Sequence, residues 1–167
     1  AYAVEDDEAL NNLIQRLRAR KVFQQTSILY FSNRAGKLKR NSSVISDYKD
    51  LKARFGIDCQ VVPYTVLADE INAVKTSKDL RGEIEEFAGR LIRNARAVHI
   101  DRAYVINSIE YHFAVKRLMD RYHCNATNIE CREFCASRLP EKWKIVPCLT
   151  NALLNSEGLP AACEGDI

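Results

Sequence analysis

The sequence predicts an α/β domain, a three-layer α/β/α arrangement around a parallel sheet. Two observations carry that expectation. Short apolar runs of strand length, SILYFSN at 27–33, CQVVPYT at 59–65 and ATNIEC at 126–131, are separated by stretches with apolar residues at helical spacing. Strands separated by helical crossovers pair in parallel and are covered by helices. The 167 residues, 47% hydrophobic and 28% charged, contain no internal repeat and no Gly-, Pro- or Ser-rich linker, the profile of a globular domain with a sizeable core.

Residues 5–21 place acids first and bases last around Leu10, Leu13, Ile14 and Leu17. The apolar spacing is helical, and the charges match the helix dipole. SILYFSN then reads as a short buried strand, and RAGKLKRNSS at 34–43 as an exposed basic loop. A helix over 44–55 ends at Gly56, a residue suited to a left-handed cap. In CQVVPYT, Pro63 favours an edge strand or a strand ending there, since proline donates no ladder hydrogen bond.

Helical spacing returns in VLADEINAV at 66–74. Ser77 and Asp79 can begin a further helix through 80–98. Over 101–123 a stripe of Tyr104, Val105, Ile109, Phe113, Leu118 and Tyr122 predicts a third. ATNIEC is the next strand, and CREFCASRLPEKWK at 131–144 reads as a loop. PCLTNALLNSEG at 147–158 predicts a short helix closed by Gly158, and LPAAC at 159–163 a final buried strand of small residues.

Charge and cysteine usage narrow the function classes. The 25 basic and 22 acidic residues are mixed along the chain, so neither nucleic acid nor an anionic membrane is expected as partner. No apolar run approaches membrane-spanning length. Six cysteines, 59, 124, 131, 135, 148 and 163, sit mostly in apolar runs of a chain without a signal peptide at its start; they are expected reduced, in a cytoplasmic protein. Asn41-Ser42-Ser43 and Asn125-Ala126-Thr127 match the glycosylation triplet, which matters only in a secreted chain.

Several residues could carry chemistry. Gly36-Lys37 lacks what a phosphate loop needs, because Phe31 stands where the earlier glycine belongs and Leu38 where a hydroxyl belongs. The expected reading of that loop is a solvated basic segment. His123, Cys124, Cys131 and Cys135 do not offer the two close ligand pairs of a structural zinc site. His99 and His112 fall in helical patterns and read as packed or capping residues. At the end of the sequence, Glu164 follows a strand directly, which in a parallel sheet puts it at the carboxyl edge where such sheets bind ligands. Gly165 permits a close turn, and Asp166 adds a hard oxygen donor of the kind magnesium or manganese takes. Spacing alone leaves a metal site and a plain acidic turn both open.

PCLTNALLNSEGLPAACEGDI, 147–167, resembles a motif of the L-fucose isomerase family, a group that includes arabinose-isomerase-like sugar isomerases. Ser156 stands where an Asp is common in that family's turn, and the segment from about 100 to 135 resembles its second domain more loosely. The resemblance implies a Rossmann-like (flavodoxin-like) domain over 26–167 that ends where the catalytic domain begins. Residues 1–25 would be a helix linking from a first domain that this sequence does not contain. It also implies a metal-dependent aldose–ketose isomerase acting on a monosaccharide through an enediol, with Mn2+ (or Mg2+) and a homo-oligomeric assembly. Glu164 takes the position of the family glutamate that is both a metal ligand and an acid or base, while the other ligands have no counterpart in this sequence. One carboxylate cannot hold such a metal firmly, so the chain alone is expected to be inert. The alternative is a stand-alone α/β domain that binds a small ligand or serves assembly without catalysis.

Overall fold

A computed structural model describes residues 6–33 and 48–163. Its sheet has four strands, all parallel, in the order β2-β1-β3-β4. In chain order the elements are α1 (Asp7–Gln24), β1 (Ser27–Phe31), α2 (Tyr48–Phe55), β2 (Asp58–Val62), α3 (Tyr64–Thr76) and α4 (Lys78–Asn94). There follow α5 (Arg102–Arg121), β3 (Ala126–Ile129), α6 (Cys131–Ala136), α7 (Leu139–Trp143), α8 (Pro147–Ser156) and β4 (Ala161–Cys163). The expected α/β class with a helix-covered parallel sheet is therefore the observed one.

Each face of the sheet has its own apolar cluster, because alternate strand residues point to opposite sides. Leu29, Phe31, Val62 and Ile129 belong to the large core with Leu67, Ile84, Ile109 and Leu118 of the helices. Ile28 and Ala126 pack on the other side with Leu51 of α2, Ile57 and Cys59. α5 is the central helix of the larger layer, with ten buried residues including Ser108, Glu110, Tyr111 and His112. Its burial is wider than the one stripe expected; Val105, Ile109 and Leu118 are buried, whereas Tyr104, Phe113 and Tyr122 are only partly so.

Local chemistry explains most element ends. Asp6 caps α1 by accepting from the Ala9 amide at 2.7 Å, and Asp101 caps α5 by accepting from the Ala103 amide at 2.9 Å. Gly56 closes α2 with φ +76°, its amide donating to Lys52 O at 2.9 Å, as expected for a left-handed cap. Pro63 ends β2, an edge strand, and leads directly into α3. α3 is longer than its expected span because Tyr64, Leu67, Ile71 and Val74 all reach the core, while its buried Glu70 pairs with Arg117 at 2.7 Å and with Arg121.

Other expectations need correction. α4 stops at Asn94 instead of 98, since Val98 and Ile100 are exposed and find no core to hold further turns. Ser77 occupies the cap position of α4 but makes no side-chain cap bond. The segment read as a loop over 131–144 contains α6 and α7, which are six and five residues long and too short to give a periodic signal. β3 ends at Ile129, two residues early, so Cys131 opens a helix and does not end a strand. β4 is an edge strand with Ala162 exposed, not the buried strand expected. Of the six cysteines only Cys124 is buried; Cys135 and Cys148 are exposed.

Candidate functional site

The strand order reverses direction between β1 and β3: the chain runs from β1 outward to β2, then returns to β1's other side. The crevice beyond the carboxyl ends of those two strands is where open sheets of this type take ligands. Ser32 and Asn33 follow β1, Pro63 and Tyr64 follow β2, and Glu130 follows β3. Parallel pairing brings all of these to one edge.

Glu133 of α6 ties the edge together. Its Oε2 accepts from Ser32 Oγ at 2.9 Å, from the Asn33 amide at 3.4 Å and from the Tyr64 hydroxyl at 3.3 Å. That same hydroxyl lies 3.1 Å from the Glu130 carbonyl, and the Tyr64 amide donates to Asn33 Oδ1 at 3.1 Å. Glu130 is 1% exposed and accepts from the Tyr30 hydroxyl at 3.0 Å. Burial, reinforced by Glu133, pushes the Tyr64 phenol well above the ordinary range, and burial with Glu130 does the same to Tyr30. Both phenols stay protonated and serve as donors. The edge thus gathers two carboxylates, two phenols, a hydroxyl and an amide side chain, of which Tyr30, Ser32, Tyr64 and Glu130 are buried.

β4 extends this edge. Its register sets Ile129 of β3 opposite Cys163, and in the sequence each of these residues is followed by a glutamate, Glu130 and Glu164. Glu164, Gly165 and Asp166 lie outside the described residues, as does the basic loop over 34–43. Among the described residues no group of three or more His, Cys, Asp or Glu side chains is placed to hold a metal ion. The described donors therefore do not by themselves make a manganese or magnesium centre, for which about six hard donors are needed.

No protein-family model matches the chain, and no curated protein matches it.

The remaining sequence candidates are dispersed. His123 and Cys124 stand just before β3, with the Cys124 sulfur 3.4 Å from Ser27 Oγ, whereas Cys131 and Cys135 lie past its carboxyl end. His99 lies between α4 and α5, exposed, and not in a helix as its pattern suggested. His112 is 1% exposed on α5 and donates from Nε2 to Glu157 at 3.0 Å; Lys116 reaches the same carboxylate at 2.6 Å. Burial holds the His112 pKa below its usual value despite Glu157. This trio joins α5 to the end of α8, away from the sheet edge.

Sequence reasoning missed Ser32, Asn33, Tyr64, Glu130 and Glu133. A signal for the first four existed: each lies within two residues of the carboxyl end of a parallel strand. Glu133 had none, because its helix was not legible.

Proposed function

We propose that this chain is part of a metal-dependent aldose–ketose isomerase, with Glu164 delivered to the reacting sugar by the carboxyl edge of the sheet. One observation carries the reading: β3 and β4 pair with Ile129 opposite Cys163, and in the sequence a glutamate follows each of these two residues directly. The resemblance of 147–167 to the L-fucose isomerase family supports it, since the same glutamate is the family's ligand and acid or base.

The chemistry asks for a carboxylate at that place. Moving a carbonyl between C1 and C2 of an open-chain sugar requires a proton to leave one carbon and return to its neighbour, and a positioned carboxylate can carry it. Glu164 does this in our reading. Glu130 and Glu133 take a different part. Bonded to Tyr30, Tyr64 and Ser32, they hold the ends of three strands in fixed relation, so that the edge is preorganised. The reading carries a divalent cation with it, manganese or magnesium, whose ligands other than Glu164 come from a further domain, and a homo-oligomeric assembly.

Assaying aldose-to-ketose conversion with manganese tests this. The 167-residue chain has no turnover, and a version continuing past Ile167 into the further domain has it. Turnover by the short chain, or none by the extended one with any aldose offered, overturns the proposal. A second reading, a small-ligand-binding α/β domain without catalysis, is favoured by the polar cluster around Glu133, which stands at the carboxyl edge where sheets of this type take ligands. It predicts that the 167-residue chain binds a sugar or nucleotide with no metal present.

A further inference from the structure

Two thiols beside the same edge take no part in the isomerase reading. Cys131 opens α6 and Cys135 lies one turn further on, with their sulfurs 3.7 Å apart. Cys135 is exposed and Cys131 partly so. Residues four apart on a helix have Cα atoms about 6 Å apart, inside the roughly 4.4–6.8 Å that a disulfide spans. Closing the sulfurs to a bond of about 2.05 Å needs side-chain rotation and a slight tightening of a helix only six residues long.

We propose that Cys131 and Cys135 are a modification site, a dithiol that small disulfides oxidise reversibly to an intrahelical disulfide. The exposed Cys135, as thiolate, attacks one sulfur of the small disulfide and expels the other half as a thiolate. Cys131 then gives its proton to solvent and attacks the Cys135 sulfur, expelling the second half. One S–S bond is made in the protein and one is broken in the oxidant, which leaves as two thiols. Cys135 goes first because it is the accessible sulfur. Burial and the bond to Cys135 push the Cys131 thiol up to about 12, so the closing step quickens as pH rises.

The consequence reaches the candidate site, because Glu133 lies between the two cysteines. Oxidation tethers the turn whose carboxylate holds Ser32, Asn33 and Tyr64. Cys148 and Cys163 are near enough to Cys131 to influence its ionisation, and they are the competing partners. The inference rests on the geometry of α6 and stands or falls apart from the isomerase reading.

The test is oxidation of the 167-residue chain with oxidised glutathione at several pH values, quenched with iodoacetamide and read by intact mass and peptide mapping. The expected product links Cys131 to Cys135, has lost two hydrogens at that pair and carries no glutathione on either of the two. It forms faster at higher pH and reverts with dithiothreitol. Cys131→Ser stops at a glutathione adduct on Cys135, and Cys135→Ser suppresses the disulfide. A stable adduct on Cys135 in the unmodified chain overturns the proposal, as does a disulfide from Cys131 to Cys148 or Cys163.

Discussion

Removing the hydroxyl of Tyr64 is the sharpest probe of the crevice. Tyr64 is 3% exposed, and its one hydroxyl proton is shared between the Glu130 carbonyl at 3.1 Å and Glu133 Oε2 at 3.3 Å. A neutral hydrogen bond contributes about 1 kcal/mol net, and one to a charged group about 1.5–3 kcal/mol. Neither acceptor is stranded in Tyr64→Phe: the Glu130 carbonyl keeps the Phe134 amide at 2.9 Å, and Glu133 keeps Ser32 Oγ at 2.9 Å. The ring also keeps its contact with Phe134, whose centroid lies 5.2 Å away. The cost should therefore fall at the low end, about 1 kcal/mol. Urea unfolding is the assay, with an unchanged slope and a midpoint lowered by about 0.5 M for a slope near 2 kcal/mol/M. Tyr64→Ala, which also empties the ring's place in the core, should cost about 3–5 kcal/mol by analogy with other aromatic deletions. If Tyr64→Phe costs nothing measurable, the hydroxyl is not bonded as described. If it costs as much as Tyr64→Ala, the bookkeeping of surviving donors is wrong.

Three further outcomes follow from named contacts. Gly56→Ala forces a left-handed φ of +76° on a residue whose Cβ would stand 2.9 Å from Gln24 Cγ, and should lower stability by about 1–2 kcal/mol in the same assay. Burial raises the Glu110 pKa above 4.5, although Lys75 and Arg81 oppose it. The unfolded chain then binds fewer protons above pH 4.5, so ionised Glu110 costs stability. Glu110→Gln should raise Tm at pH 7, and the gain should vanish as pH falls below 4.5. His112 has the opposite sense: burial depresses its pKa below 6.5, so the unfolded chain binds more protons just under that pH and stability falls on acidification. His112→Gln should flatten this fall in a Tm-against-pH series, and an unchanged slope would remove His112 as its source.

How much could be read from the sequence depended on element length and on register. The long helices α1 and α5, and the strands that end beside polar residues, announce themselves by period and by capping chemistry; Asp6, Gly56 and Pro63 do what their residue types dictate. The two short helices α6 and α7 do not, since five or six residues cannot establish a period, and α7 is bracketed by left-handed Arg138 and Lys144, a conformation no residue type there foretells. Losing α6 concealed Glu133 and with it the organisation of the crevice. The small residues of β4 suggested burial, yet at the sheet's edge they are half exposed, because composition speaks of size and not of position in the strand order. Glu164 was expected at the site from the strand before it together with a family resemblance, and it lies outside the described residues. What sequence could not supply was register: only the pairing of Ile129 with Cys163 aligns Glu130 and Glu164 as the residues that next follow paired strand ends.

The most direct test of the central claim is therefore Glu164→Gln in the protein continued past Ile167, with manganese-dependent aldose–ketose conversion as the readout. Loss of a positioned proton-transfer group predicts a fall in kcat of about 100- to 10,000-fold, with the folded state unchanged by circular dichroism. A variant that isomerises its sugar at the unmodified rate would contradict the account.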